Sequence, residues 1–161
     1  MILIALGGNL PTACGSPRQT LEAALLRFPA HGLAVAGRSP WYETAPVPVS
    51  DQPFFVNGVV CVETALDAAA AMAALHAIEA EFGRVRSVPN AARGLDLDLL
   101  DYRGEVRAAS PVLPHPRLAE RAFVLHPLRD VAPDWRHPVS GESAEELIAR
   151  LPPGQKIRRL D

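Results

Sequence analysis

Aromatic side chains are scarce in this chain, at 6% of its 161 residues. Sheet proteins that bind RNA set aromatics on their central strands as stacking platforms, so the shortage counts against that role. Charge excess is missing as well. Sixteen Lys and Arg against 18 Asp and Glu leave a net charge of −2, which argues against a general nucleic-acid binder. Cysteine is limited to Cys14 and Cys61, far apart and in no CxxC or Cys/His cluster. Both read as reduced thiols of a cytoplasmic protein. A long hydrophobic run is also lacking. The apolar start, MILIALGGNL, is too short to cross a bilayer and has no basic flank like that of a signal peptide, so no membrane partner is expected. No GxxxxGK[ST], HExxH or zinc set occurs, which excludes a P-loop nucleotide site and the common zinc centres. Ser39, Ser50 and Ser87 lack a nucleophile-elbow context.

What remains is an ordinary globular composition, 48% hydrophobic and 21% charged, which fits one domain over residues 1–161. Residues 2–6 read as a buried strand closed by Gly7-Gly8-Asn9. Ser16-Pro17-Arg18-Gln19 has the form of a capping box with proline at the first helical position. Leu21, Ala24, Leu25 and Phe28 follow at helical spacing until Pro29. A strand is expected over 33–43, bent or at an edge because of Pro40. Residues 44–53 hold three prolines and form a stiff loop. A long strand over 54–64 is interrupted by Asn57-Gly58. Asp67 caps a helix whose stripe is Ala71, Leu75, Ile78 and Phe82, with His76, Glu79 and Glu81 off that stripe or at its margin. Gly83 ends it. Residues 102–105 suggest a hairpin turn into a short strand near Val106. Pro114-His115-Pro116 is expected to open a short helix carrying Arg117, Glu120 and Arg121. Over 123–128, Pro127 should limit regular structure. Ser143-x-x-Glu146 is a second capping box. The order β-α-β-β-α-β with a helical extension predicts an α+β sandwich, helices on a largely antiparallel sheet.

The chemistry gathers in RVRSVPNAARGLDLDLL, residues 84–100. Period-two alternation sends Leu95, Leu97 and Leu99 to one face of a strand and Asp96 and Asp98 to the other. Two carboxylates on one face repel. A divalent cation, or a pair about 3.5–4 Å apart, would remove that cost and could serve an in-line phosphoryl displacement. The same two acids could equally be ordinary residues of a solvent-facing edge strand. Arg84, Arg86 and Arg93 precede them without an intervening acid, and arginine suits phosphate oxygens. A solvated turn after a helix would look alike. His115, held between prolines, could donate to a phosphate or lie in a surface turn. Arg121 could reach phosphate, and Phe123 could stack on a flat ring or belong to the core. Asn57, in an apolar strand, needs partners, from a heteroaromatic ligand or from a neighbouring loop. A Mg²⁺-dependent phosphohydrolase or nuclease, and a non-catalytic binding module, are the rival readings.

The segments ALGGN, YETAP, QPFFVNGVV, FGRVR, AARGLDLDLL and PHPRLAERAFVLHPL, in that order, resemble the 6-hydroxymethyl-7,8-dihydropterin pyrophosphokinase family over about residues 2–145. The resemblance implies a ferredoxin-like α+β fold and transfer of pyrophosphate from ATP to the hydroxymethyl group of the pterin, with AMP as co-product, in folate biosynthesis. It implies two Mg²⁺ on Asp96 and Asp98, with ATP as co-substrate. Glu79, Arg84, Arg86, Arg93, His115 and Arg121 would face ATP, with the backbone at Leu99 near adenine. Thr44, Pro46, Val47, Phe55, Asn57, Asp96 and Phe123 would line the pterin pocket. Arg84, Arg93, Asp96 and Asp98 would carry catalysis. A monomer is expected. The sequence departs from the family at Pro89-Asn90, where a basic residue and a tryptophan are usual.

Overall fold

The computed structural model describes residues 1–46, 48–83 and 94–160. Val47, Arg84, Arg86 and Arg93, together with Pro89 and Asn90, lie outside the described residues. Among those described, six strands make one sheet: β1 (Ile2–Gly8), β2 (Ala34–Arg38), β3 (Tyr42–Thr44), β4 (Phe55–Glu63), β5 (Asp96–Tyr102) and β6 (Ile157–Arg159). The order is β5-β1-β4-β3-β6, with β2 also on β4, and each of these pairings is antiparallel. Helices α1 (Pro17–Arg27), α2 (Ala68–Glu81), α3 (Ala122–Val131) and α4 (Ala144–Ala149) pack on it. This is the expected ferredoxin-like α+β sandwich.

Strand alternation divides the interior into two cores. Ile2, Ile4 and Leu6 of β1, Val60 and Val62 of β4, and Leu95, Leu97 and Leu99 face α1 and α2. Leu3, Ala5, Val59 and Leu100 face α3 and α4. Both capping boxes form: Ser16 with Gln19, and Ser143 with Glu146. Asp67 caps α2 by accepting from the Ala70 N–H at 2.8 Å.

The segment expected as one strand over 33–43 is two, β2 and β3, both on the same edge of β4. Between them the Ser39 N–H donates to Val59 O at 2.9 Å, and Ser39 Oγ accepts from the Val59 N–H at 3.0 Å. The break turns Trp41 inward, to 4% exposure. Its ring lies over Gly58, where an added Cβ would come within 2.6 Å of two ring carbons. That packing explains why the long strand tolerates a glycine.

Three expectations need correction. The helix α3 runs through Pro127. Losing one backbone bond there is offset because Val124, Leu125, Pro127 and Leu128 are all buried. Residues 114–121 do not form an α-helix; they make a turn, a single 3₁₀ turn over Leu118–Glu120, and an extended Arg121 that leads into α3. Leu118 is drawn into the second core, which sets that path. No strand forms at Val106, which is 64% exposed; only an isolated bridge joins Arg107 to Leu113. Leu113 is the side chain that enters the core, and Pro111 and Pro114 lack the N–H groups that a ladder needs.

Gly58→Ala should lower the free energy of unfolding by about 1–3 kcal/mol, because its methyl must displace a packed indole. Urea denaturation followed by tryptophan fluorescence measures this.

Candidate active site

The second face of the sheet is only partly covered. Helix α3 shields its middle, and at the helix's first turn the face opens into a cleft of about 140 Å³. Residues from four elements and one loop line it: Gly7 of β1, Thr44 of β3, Phe55 and Asn57 of β4, Asp96 and Asp98 of β5, and Pro46 and Gln52 of the loop. Arg121 and Phe123 close it from the start of α3. The structure thus gathers in one cleft Thr44, Pro46, Phe55, Asn57, Asp96 and Phe123, expected together from the family resemblance, with Asp98 of the expected metal pair and with Arg121, which was expected to face ATP.

Each is held for a local reason. Asp96 and Asp98 are half-buried because the leucines alternating with them are locked in the opposite core. Asn57 is 5% exposed, and its Nδ2 donates to Thr44 Oγ1 at 2.7 Å. Its Oδ1 lies over Gly7, where an added Cβ would sit 2.4 Å away. A glycine at position 7 is thus the condition for the amide to lie in the cleft. The proline-rich loop is tied down by Asn9, whose Nδ2 donates to Gln52 Oε1 at 3.1 Å and to Pro53 O at 3.0 Å. The Arg121 guanidinium carbon lies 5.2 Å from the centre of the Phe123 ring, a cation–π stack that aligns both. Burial holds Arg121 below an ordinary guanidinium; Arg117 adds to this, while Asp98 and Asp96 oppose it.

A second groove, about 490 Å³, runs on the other side of Asp98. Met72 and His76 of α2, Leu97 and Asp98 of β5, Val112 and His115 line it. Asp98 is common to the cleft and the groove. His115 is fastened to β5 by its N–H, which donates to Leu100 O at 2.9 Å. Its Nδ1 accepts from the Arg117 N–H at 3.2 Å, so the neutral ring carries its proton on Nε2. Burial pulls its pKa down to about 4, with Arg121 adding to this and Asp96 opposing it. The ring is thus a neutral donor at pH 7.

Glu79, expected at the margin of its helix stripe, is 1% exposed. Its Oε2 accepts from the Leu97 N–H at 2.8 Å. That bond fixes the backbone between the two aspartates. Helical spacing from Leu75 and Ile78 puts position 79 beside the stripe, but only the tertiary fold shows which backbone group it meets. Sequence reasoning also missed Asn9 and Gln52 as the anchor of the loop; a buried Asn after two glycines was the available signal.

The donor chemistry suits a hard cation. Asp96 and Asp98 offer oxygen alone, and among the described residues no cluster of three or more His, Cys, Asp or Glu surrounds them. Mg²⁺ accepts that arrangement, taking one or two carboxylates and completing its shell with water and substrate phosphate.

An α+β sandwich with a ring-sized cleft, an adjoining groove and paired carboxylates between them has the layout of a two-substrate phosphoryl-type transferase. The sequence model of the 7,8-dihydro-6-hydroxymethylpterin-pyrophosphokinase family matches residues 3–133, and the chain belongs to that family. It is 43% identical over 156 residues to the 2-amino-4-hydroxy-6-hydroxymethyldihydropteridine pyrophosphokinase of Pseudomonas aeruginosa, covering 94% of this chain and 91% of that one. The enzyme of the same name from Methylorubrum extorquens is 37% identical over 152 residues, covering 93% and 92%. The folic acid synthesis protein fol1 of Pneumocystis carinii is 38% identical over 151 residues; the match covers 93% of this chain but 20% of that longer protein. Family membership gives the chain pyrophosphokinase activity in folate biosynthesis, with ATP as co-substrate. Among the described residues no helix is long and apolar enough to cross a membrane.

The His115 ring should stay neutral across pH 5–8 in the free protein and titrate near 4, read from its imidazole ¹⁵N shifts. An unfolded histidine protonates near 6.5, so wild type should lose stability as pH falls from about 6.5 to 4. His115→Gln should lack that component, seen as a smaller drop in urea midpoint over the same interval.

Proposed function

We propose that the pterin alcohol occupies the cleft and ATP the groove, and that pyrophosphate passes between them across Asp98. The observation that carries this reading is that Asp98 lines both spaces. Asn57 and Thr44 supply polar partners for the edge of the heterocycle, and Phe55 and Phe123 supply apolar faces. Arg121, which lines the cleft but also acts electrostatically on His115 in the groove, and the Nε2–H of His115 meet phosphate oxygens where the two spaces adjoin. Arg84, Arg86 and Arg93, which lie outside the described residues, join them through the segment that links α2 to β5. Glu79 acts on the backbone between the aspartates, and the backbone at Leu99 lies toward adenine. Val47, outside the described residues, would join Pro46 in contacting the pterin.

Asp96 and Asp98 would hold two Mg²⁺, which when bound offset phosphate charge and orient the polyphosphate. The chain's own groups do the rest. The pterin hydroxyl oxygen forms a bond to the β-phosphorus, the β-phosphorus to α-bridging oxygen bond breaks, and AMP leaves. The hydroxyl proton passes to Asp98 or to a water beside it. Arg93 and Arg84 stabilise the charge that develops on the transferring group. Positioning and electrostatics supply most of the catalysis in reactions of this type. The reading includes a monomer acting in the cytoplasm as one domain, supported by two free cysteines and by a sheet with its own helices packed on each face, leaving the cleft open.

Incubation with MgATP should release AMP only when the pterin alcohol is present; AMP or ADP formed from water alone would overturn the reading. Asp96→Ala should reduce kcat by 10³-fold or more, on the order of 4 kcal/mol of lost transition-state stabilisation. Near-normal turnover in that variant would defeat the metal assignment. Asn57→Ala should weaken pterin binding about tenfold or more, the cost of one buried polar contact, and change ATP binding less than twofold. Titration calorimetry with each substrate separately distinguishes the two.

A further inference from the structure

Arg121 has an unusual support. It is the N-cap of α3, yet its own side chain makes no capping bond, and its backbone is extended at φ −117° and ψ 111°. The first helical N–H, that of Ala122, is one of the donors every helix leaves open. It is answered from far along the chain: Gln155 Oε1 accepts from it at 2.9 Å. The other end of the same amide, Gln155 Nε2, donates to Glu120 O at 2.9 Å. One side chain thus holds the carbonyl before Arg121 and the N–H after it. The two bonds fix the backbone torsions from which the guanidinium projects into the cleft.

The segment that carries Gln155 is itself anchored. Pro152-Pro153-Gly154 turns the chain after α4, with Gly154 at φ +96°. The next residue, Lys156, accepts from the Ala45 N–H at 3.1 Å, and β6 then pairs with β3, setting Ile157 opposite Thr44. The turn therefore lies between the two walls of the cleft: Thr44 and Ala45 on one side, Arg121 and Phe123 on the other. Gln155 also lies beyond residues 3–133, the span covered by the family's sequence model.

We infer that Gln155 is a positioning residue for the reaction, acting through Arg121 on the nucleotide rather than on the pterin. The inference rests on the assignment of Arg121 to ATP made above. Its test is a double-mutant cycle on binding of α,β-methylene ATP, an analogue that the reaction cannot cleave, measured by calorimetry with Mg²⁺ present. Gln155→Ala should weaken analogue binding about fivefold or more in the wild-type background and less than twofold in the Arg121→Ala background. Pterin binding should change less than twofold. Arg158→Ala, in the same segment but paired with Glu43, should leave analogue binding within twofold. If Gln155→Ala does not fold, as judged by circular dichroism, Gln155→Glu takes its place, because it keeps the acceptor but loses the donor to Glu120.

Equal losses in both backgrounds would overturn the inference, as would equal losses for analogue and pterin, which would mark Gln155 as merely structural. A normal loss on Arg121→Ala with none on Gln155→Ala would overturn the inference alone. No loss on Arg121→Ala would overturn it together with the assignment of Arg121 to the nucleotide.

Discussion

Two carboxylates on one face of a strand repel each other, and the site depends on what keeps them there. At about 7 Å their repulsion is about 0.6 kcal/mol in water and about 2.4 kcal/mol at the effective dielectric of a protein surface. Against this stand Leu95, Leu97 and Leu99, all at or below 2% exposure on the opposite face. Each contributes roughly 1.5–3 kcal/mol by burial. The core wins, and the strand can present acids to the cleft without help from a ligand. Register is bound to the same choice: slipping β5 by one residue would send the aspartates into the core and the leucines into the cleft.

The same division of faces organises the rest of the site. Asn57 points to the cleft because Val56 and Gly58, its neighbours, belong to the other side of β4. Each of the two glycines under that region makes room for one specific side chain: Gly58 for the Trp41 ring, and Gly7 for the Asn57 amide. Asn57-Gly58 interrupts the strand in sequence but not in space, since β4 pairs continuously with β1 from Val56 to Val62. The interruption marks where the sheet stops serving only as core and begins to line the cleft.

What could be read from the sequence is what short-range pattern encodes. The Leu/Asp alternation of β5, the capping boxes at Ser16 and Ser143, and the polar Asn57 in an apolar strand all keep their meaning in the fold. Other features depended on contacts between distant segments. The path of α3 through Pro127 follows from burial against the sheet, not from local preference. The interior position of Glu79 depends on which backbone group of β5 it meets. The support of Arg121 comes from Gln155, more than thirty residues away, and no local motif announces it. Arg84, Arg86 and Arg93 were the plainest phosphate-binding signal in the sequence, and they lie outside the described residues.

Strand β5 is the last of the sheet on its side, where an unpaired backbone invites another chain. Two of its outer polar groups are met from within: Glu79 accepts from the Leu97 N–H, and the His115 backbone N–H donates to Leu100 O. The opposite margin, β6, is three residues long and carries Arg158 and Arg159. Groups that hold β5 and the segment beside the second groove therefore also deny a foreign strand part of its template. Glu79 thus ties the geometry of the aspartate pair to protection of the sheet edge, whereas the shield at Leu100 rests on the main chain at position 115 and survives a change of side chain there.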